Sequence, residues 1–135
     1  MADYTLVRAS EVPDYSGDAP GAFLGYGRAL GTEQVTVNLR VLAPRAWHLP
    51  PGQEPGWGHS HRTIEELYFV VAGELAIRLG EDVFTLGPYD AVRIPAETVR
   101  AVRNAGDEEA RFLMCSVRVE DPRAESVHQP GFWRE

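Results

Sequence analysis

Apolar and polar residues alternate in short runs along most of the chain, and glycine or proline residues separate these runs. Alternation with a period of two is typical of strands that bury one face, and no segment keeps the 3.6-residue apolar period of a helix. We therefore predict an all-β fold, which is a sandwich, a jelly roll or a barrel. The predicted strands are 23–29, 34–43, 56–62, 66–72, 74–79, 83–86, 91–94, 99–104 and 110–119.

Both ends of the chain are more polar and richer in turn residues than its centre. We predict an N-terminal arm or loop over 1–22, a single β-barrel over 23–119 and a C-terminal tail over 120–135. Phe132 and Trp133 are large apolar residues in this tail, so we expect its end to dock on another part of the molecule. A chain of 135 residues is long enough to bury one core without disulfides or structural zinc.

The charge balance removes several classes of function. The net charge is −7, which disfavours nucleic acid and anionic membranes as partners. All 13 basic residues are arginine. Enzymes that need a lysine for a Schiff base, for pyridoxal phosphate or in a P-loop are therefore excluded.

The single cysteine, Cys115, cannot form an intrachain disulfide, and we interpret it as a small core residue. The first residues lack the basic and apolar regions of a signal peptide. No apolar run approaches the ~18 residues of a membrane span. We expect a cytoplasmic protein.

One stretch of the sequence carries candidate metal chemistry. Residues two apart on a strand point the same way, so His59 and His61 present both imidazoles to one face. Glu66 follows at the start of the next predicted strand and completes a set of two histidines and one carboxylate. Such a set binds Fe(II), Mn(II), Ni(II) or Zn(II) with open coordination positions. Glu65 also fits the spacing, but strand alternation lets only one of the two glutamates face inward, and we favour Glu66.

The order His59, His61, Glu66, Gly73 resembles the first conserved motif of the cupin superfamily, at the ligand and turn positions. The resemblance spans about residues 34–119. It implies a single-domain cupin β-barrel of the jelly-roll type, with a divalent metal ion as cofactor.

The second cupin motif is degenerate. Pro95 and Asn104 match it, but Tyr89 and Glu97 replace two glycines and Arg100 replaces a histidine ligand. Arginine offers only donors and stays protonated, so it cannot ligate a metal.

The charge of Arg100 sets a condition on the metal site. A guanidinium ~5 Å from a divalent ion would cost roughly 7 kcal/mol at an effective dielectric of 20, and Glu66 would offset about half. A metal site therefore requires that Arg100 points away, pairs with another carboxylate, or shares an anion with the metal. The alternative is an ion pair between Arg100 and Glu66 with no metal.

Several other residues could contribute to a site. Tyr68 shares a strand face with Glu66, so we predict Arg100 and Tyr68 as substrate-binding residues, with a packed core tyrosine as an equal alternative for Tyr68. We expect Arg40 to point outward and His48 to be a loop residue. His128 is expected to be solvated, and residues 25–28 are interpreted as strand. The sequence identifies no catalytic residue.

The predicted function is metal-dependent chemistry on a small metabolite, of oxygenase or isomerase type, in which Arg100 would bind an anionic group. The alternative is a non-catalytic cupin without metal that binds or senses a small molecule. Whether the protein is an enzyme stays open. We also expect a homodimer, because the N-terminal segment up to Ala29 is apolar enough to pair across a subunit boundary.

Overall fold

The computed structural model describes residues 3–134, and this part of the chain forms a β-structure of ten strands. It also contains a 3-10 turn at Ala9–Glu11 and two short helices, α1 (Tyr26–Leu30) and α2 (Pro122–Glu125). The strands are β1 (Gly21–Leu24), β2 (Val35–Leu42), β3 (Gly58–His61), β4 (Glu66–Ala72), β5 (Leu75–Leu79), β6 (Asp82–Leu86), β7 (Ala91–Ile94), β8 (Arg100–Arg103), β9 (Ala110–Val117) and β10 (Ser126–Gln129).

The strands form two five-stranded antiparallel sheets. Sheet A has the order β1-β2-β9-β4-β7, and sheet B has the order β10-β3-β8-β5-β6. Consecutive strands β3 and β4 lie in different sheets, as expected for a jelly-roll barrel. The all-β prediction is confirmed.

The core lies between the inner faces of the two sheets. Along β4 the side chains alternate as the sequence pattern requires: Tyr68 and Val70 are fully buried, whereas Leu67 and Val71 are exposed. Most of the core is apolar and comes from both sheets: Leu42, Tyr68, Val70, Leu75, Ile77, Leu86, Ile94, Val102, Ala110, Phe112 and Met114.

Both ends of the chain add to the sheets beyond 23–119. β1 begins at Gly21, inside the predicted arm, and pairs with β2. β10 lies inside the predicted tail and pairs with β3, which carries both candidate histidine ligands. The end of the tail packs on the barrel through Phe132, which lies 4.6 Å from the Arg78 guanidinium, and Trp133, whose ring lies 5.5 Å from Trp47.

The prediction of a strand over 23–29 is wrong in its second half. β1 ends at Leu24, and residues 26–30 form α1. Gly31 ends this helix in the left-handed conformation, with φ of 65°, and its N–H bonds to the carbonyls of Arg28 and Gly27. A helix of five residues is too short to give an apolar period that a sequence pattern could reveal.

Three residues at glycine positions of the cupin-like motifs, Gly73, Tyr89 and Glu97, lie in turns. Gly73 has φ of 76°, and a Cβ there would lie 2.6 Å from the carbonyl oxygen of Glu109, so only glycine fits. Tyr89 and Glu97 each have φ of 70°. These two replacements therefore keep the backbone conformation that glycine adopts most easily, at a cost of the order of 1 kcal/mol each.

Among residues 3–134, no helix has the length and apolar character needed to cross a membrane.

Asn104 joins three segments of the barrel. It is fully buried, and its Nδ2 donates to the carbonyls of Leu42 at 3.2 Å, Ala43 at 3.2 Å and Glu108 at 2.7 Å. Its Oδ1 accepts from the Gly106 N–H at 3.0 Å. The side chain thus fixes the turn after β8 and the end of β2.

We predict that Asn104→Ala lowers the free energy of unfolding by about 3 kcal/mol, because buried carbonyls lose their donor. Chemical denaturation monitored by circular dichroism measures this change. Asp107→Ala, at the exposed tip of the same turn, is the control and is expected to cost at most about 1 kcal/mol. Equal losses in the two variants would contradict the role given to Asn104.

Candidate metal centre and cavity

Two histidines and one glutamate converge between the sheets. His59 and His61 lie on β3, with ring centroids 5.3 Å apart, and Glu66 is the first residue of β4. One ligand atom from each of the three residues lies within 4.8 Å of the other two. Glu65 instead pairs with Arg93 and is exposed, so the choice of Glu66 as the inward glutamate agrees with the structure.

The turn between β3 and β4 is held from outside by α2. The Glu125 carboxylate accepts hydrogen bonds from the backbone N–H and hydroxyl of Thr63 and from the N–H of Ile64. Arg62 Nε donates to the Ala124 carbonyl at 3.0 Å. The C-terminal region therefore fixes the turn that sets the spacing between the histidine pair and Glu66.

The protonation states of the site follow from burial and neighbouring charge. Burial, and next the neighbouring His48, hold the pKa of His59 well below its usual 6.5, so His59 is neutral and has a lone pair available. Burial alone would raise the pKa of Glu66. The hydrogen bond with His61 and the charge of Arg100 outweigh it and hold this pKa below 4.5, so Glu66 is ionised.

Arg100 points into the barrel. It lies opposite His59 in the β3–β8 register and is fully buried. Its Nη1 donates to Glu66 Oε1 at 3.0 Å, and its Nη2 donates to the Thr98 carbonyl at 3.0 Å. The structure therefore contains the ion pair between Arg100 and Glu66.

The residues fit a divalent cation, with Glu66 shared between the cation and Arg100. Ligand atoms about 2.1 Å from one ion lie at most about 4.2 Å apart, so small side-chain movements bring this set together. His61 Nδ1 is buried without a hydrogen-bond partner, and His61 Nε2 lies 3.5 Å from Glu66 Oε1. Buried nitrogen atoms normally have a hydrogen-bond or metal partner. The unpartnered imidazole of His61 is therefore consistent with a cation site.

A cavity of ≈ 1050 Å³ opens beside this cluster. Its lining includes His59, His61 and Glu66, together with Asn38 from β2 and Ser116 from β9. Its wall also carries charged residues of both signs, which are Arg28, Arg118, Glu120, Asp121, Arg123 and Glu125. The volume is that of a small-molecule site.

Arg100 and Tyr68 are absent from this lining. The Tyr68 side chain is fully buried near Glu66 and Arg100, and burial, with Glu66 next, raises the pKa of Tyr68 well above 10. The assignment of Arg100 and Tyr68 as substrate-binding residues stays a prediction, and direct contact with a ligand would require Arg100 to leave Glu66.

The expectation that Arg40 points outward is wrong, whereas His48 lies in the loop between β2 and β3, as expected. His48 is buried and lines the cavity, and its ring lies 6.3 Å from that of His59. Arg40 points inward, and its Nε donates to His48 Nδ1 at 3.3 Å. Burial, with Arg40 and then Arg100 next, lowers the pKa of His48 to about 3. The parity of Arg40 with Asn38 on β2 was the available signal, because Asn38 also faces the cavity.

Two further interpretations are settled by exposure. His128 is exposed, as expected, and lies opposite His59 in the register of β10 and β3. Cys115 is not a core residue, because it alternates on β9 with the buried Met114 and is half-buried on the outer face of sheet A.

Comparison with known proteins supports the family that the motifs suggested. The family model described as Cupin domain matches residues 45–116. The uncharacterized protein MJ1618 of Methanocaldococcus jannaschii is 31% identical over 58 residues, which are 43% of this chain and 46% of that protein. The chain spans less than half the length of the curated relatives it matches.

Solved structures show the same fold. The cupin protein BF4112 from Bacteroides fragilis superposes with a TM-score of 0.68 at 22% identity, covering 90% of this chain and 89% of that one. A structure from Silicibacter pomeroyi described as a sugar phosphate isomerase from a cupin superfamily gives a TM-score of 0.69 at 23% identity, covering 85% and 76%. At these identities the likeness concerns the fold alone. Since the family model matches more than half of the chain, this protein belongs to the cupin family.

Proposed function

We propose that this protein is a metal-dependent cupin enzyme that acts on a small metabolite bound in the cavity beside His59, His61 and Glu66. The observation that carries the proposal is the convergence of two imidazoles and one ionised carboxylate on the wall of a ligand-sized cavity. Three protein ligands leave coordination positions open to a substrate. A bound divalent ion, Fe, Mn, Ni or Zn, would supply Lewis-acid or oxygen chemistry of the isomerase or oxygenase type.

The residues of the chain have separate tasks in this proposal. His59 and His61 hold the ion as neutral ligands, and Glu66 supplies the negative charge. Arg100 competes for Glu66 because its Nη1 already bonds to Oε1 at 3.0 Å. Occupancy of the site therefore depends on how far the ion displaces Arg100 from the carboxylate, and a displaced Arg100 is the group that would bind an anionic part of the substrate.

A second candidate is a non-catalytic cupin that binds or senses a small molecule without metal. The ion pair between Arg100 and Glu66 favours this alternative, because it satisfies the buried carboxylate without a metal ion. A binding protein would give a saturable thermal shift with a metabolite and no product by mass spectrometry, whereas an enzyme would give product.

The first test is metal retention. Protein purified without chelators and loaded separately with Fe(II), Mn(II), Ni(II) and Zn(II) is expected to keep at least one ion after desalting, measured by elemental analysis. His59→Ala and His61→Ala are each expected to lose most of that metal, because each removes one of three ligands.

His128→Ala is the matched control, since His128 lies opposite His59 in the strand register but is exposed. It should retain the metal at the wild-type level. The metal proposal is wrong if the wild-type protein keeps none of the four ions. If His128→Ala loses as much metal as His59→Ala, the ligands lie elsewhere.

The second test concerns Arg100. Arg100→His is expected to raise divalent-metal affinity at least tenfold, about 1.4 kcal/mol, because it removes the competing cation and places an imidazole opposite His59. Arg100→Gln removes the same charge without adding a ligand, so its gain should be smaller. Isothermal titration with Zn(II) measures both affinities. Unchanged affinity in both variants would mean that Arg100 does not limit metal binding.

A further inference from the structure

His48 and Arg40 form a buried pair beside the candidate metal centre. Arg40 Nε donates to His48 Nδ1 at 3.3 Å, while its Nη1 donates to the carbonyls of Ala22 at 2.8 Å and Val41 at 3.2 Å. Arg40 is 5% exposed. An arginine nitrogen can only donate, so Nδ1 of His48 carries a lone pair and no hydrogen. A neutral imidazole in this state carries its hydrogen on Nε2.

The His48 ring is held by its surroundings. It stacks on Phe23 with centroids 6.1 Å apart and meets Phe112 edge-on at 5.7 Å. Its backbone N–H donates to the Val102 carbonyl at 2.9 Å. A ring fixed in this way and exposed to the cavity presents one N–H in a fixed direction.

We infer that His48 is a recognition residue that donates its Nε2–H to an acceptor oxygen of the ligand, a carboxylate or phosphoryl oxygen, and that Arg40 is the positioning residue that sets this state. The role of that ligand as a substrate rests on the proposed function, whereas the donor assignment does not. His48 is accordingly not a fourth metal ligand, although its ring lies 6.3 Å from that of His59. The positive charge of Arg40 behind the ring favours an anionic acceptor over a neutral one.

The donor assignment is tested on metal-free, ¹⁵N-labelled protein at pH 7. Long-range ¹H–¹⁵N correlation spectra distinguish the two imidazole tautomers, and loss of the signal in His48→Asn assigns it. We expect an unprotonated Nδ1 and a protonated Nε2, and a shift toward a mixture of tautomers in Arg40→Met. An Nδ1–H tautomer or an imidazolium in the wild-type protein would overturn the inference.

The recognition role is tested with inorganic phosphate and with acetate as probes, by titration of the same spectra. In His48→Asn the amide oxygen takes about the place of Nδ1 and still accepts from Arg40, but no donor remains at the place of Nε2. In His48→Gln the amide nitrogen takes about the place of Nε2 and keeps a donor. We expect at least tenfold weaker probe binding in His48→Asn and a change within about threefold in His48→Gln.

Circular dichroism and thermal unfolding check that both variants fold. The recognition role is overturned if neither probe binds to the wild-type protein. It is also overturned if the two variants lose probe binding equally. Metal retention in the same variants separates this inference from the proposed function: both variants should keep the metal. A protein that binds phosphate through His48 but retains no metal would refute the metal proposal alone.

A second inference rests on an independent observation, the outer face of sheet A. Apart from Arg111 near the start of β9, the outward residues at the centre of three adjacent strands are apolar. The register makes them contiguous, because Cys115 lies opposite Val37 on one side and Leu67 on the other. We name this set the outer apolar face. It comprises Val35, Val37 and Leu39 of β2, Leu113, Cys115 and Val117 of β9, and Leu67, Phe69 and Val71 of β4.

The charges around this face favour a second copy of the chain as its partner. The residues of the face are uncharged, and ion pairs lie at its margin, Arg93 with Glu65 at 3.2 Å and Arg111 with Glu109 at 2.7 Å. The chain has a net charge of −7, so most surfaces of two copies repel each other. An apolar centre with a neutralised rim is complementary to itself and has the composition of an interface.

We propose that two copies associate through the outer apolar face. Val35 is 65% exposed and Val117 49%, so this face leaves large apolar side chains in solvent unless it is covered. The predicted interface through the N-terminal segment has less support, because β1 pairs with β2 of its own chain.

Sedimentation velocity at 10–100 µM tests the interface. The wild-type protein is expected to be a dimer, and Leu67→Glu is expected to be a monomer, because it places a carboxylate in the middle of the face. Val83→Glu is the matched control, since Val83 is 58% exposed on β6 of the other sheet. The single cysteine gives a second readout: alkylation of Cys115 should be slow in the dimer and fast in Leu67→Glu.

A wild-type monomer over this range would overturn the interface, as would dissociation by Val83→Glu to the same extent as by Leu67→Glu. Thermal unfolding of both variants confirms that a change in mass reflects association and not loss of fold.

Discussion

The buried ion pair between Arg100 and Glu66 is the interaction on which the interior of this barrel depends. Arg100 comes from sheet B and Glu66 from sheet A, so the contact joins the two sheets beside the histidine pair. Loss of one partner would leave an uncompensated charge in the interior, which is among the most costly defects in a fold. Together with the hydrogen bond from His61, the charge of Arg100 keeps the pKa of Glu66 low and the carboxylate ionised despite its burial.

The same pair explains how a barrel can hold a cupin ligand set with an arginine in the place of the usual fourth ligand. The guanidinium takes one carboxylate oxygen and a backbone carbonyl, and it lies away from the cavity. In the proposed metal centre, the ligand set would be complete only if Glu66 divided its charge between the ion and Arg100. Under that proposal, metal affinity would depend on the competition between the ion and Arg100 for the Glu66 carboxylate.

A second buried arginine, Arg40 of β2, acts on another residue of the cavity wall. Arg40 fixes His48 through one hydrogen bond, while its remaining contacts are backbone carbonyls of β1 and β2. The chain contains no lysine, and the planar guanidinium can satisfy several carbonyls at once where an ammonium group would be more strongly hydrated. Each of the two buried arginines therefore donates a hydrogen bond to one residue of the cavity wall, Glu66 or His48.

The sequence by itself determined the features that depend on local periods and spacing. Alternation determined the strands and the burial of Tyr68 and Val70, the two-residue spacing placed His59 and His61 on one face, and parity selected Glu66 over Glu65. Tertiary structure decided which groups meet across the barrel. Arg100 contacts Glu66, which is 34 residues away in the sequence. Arg40 contacts His48 only because β2 packs against the loop that precedes β3. The sequence pattern also did not predict the helix at 26–30, because five residues are too few to show a helical period. It did not predict the pairing of β10 with β3, because a polar edge strand has the composition of a loop. Local rules state which face a side chain occupies, but the partner it meets there depends on the packing of distant segments.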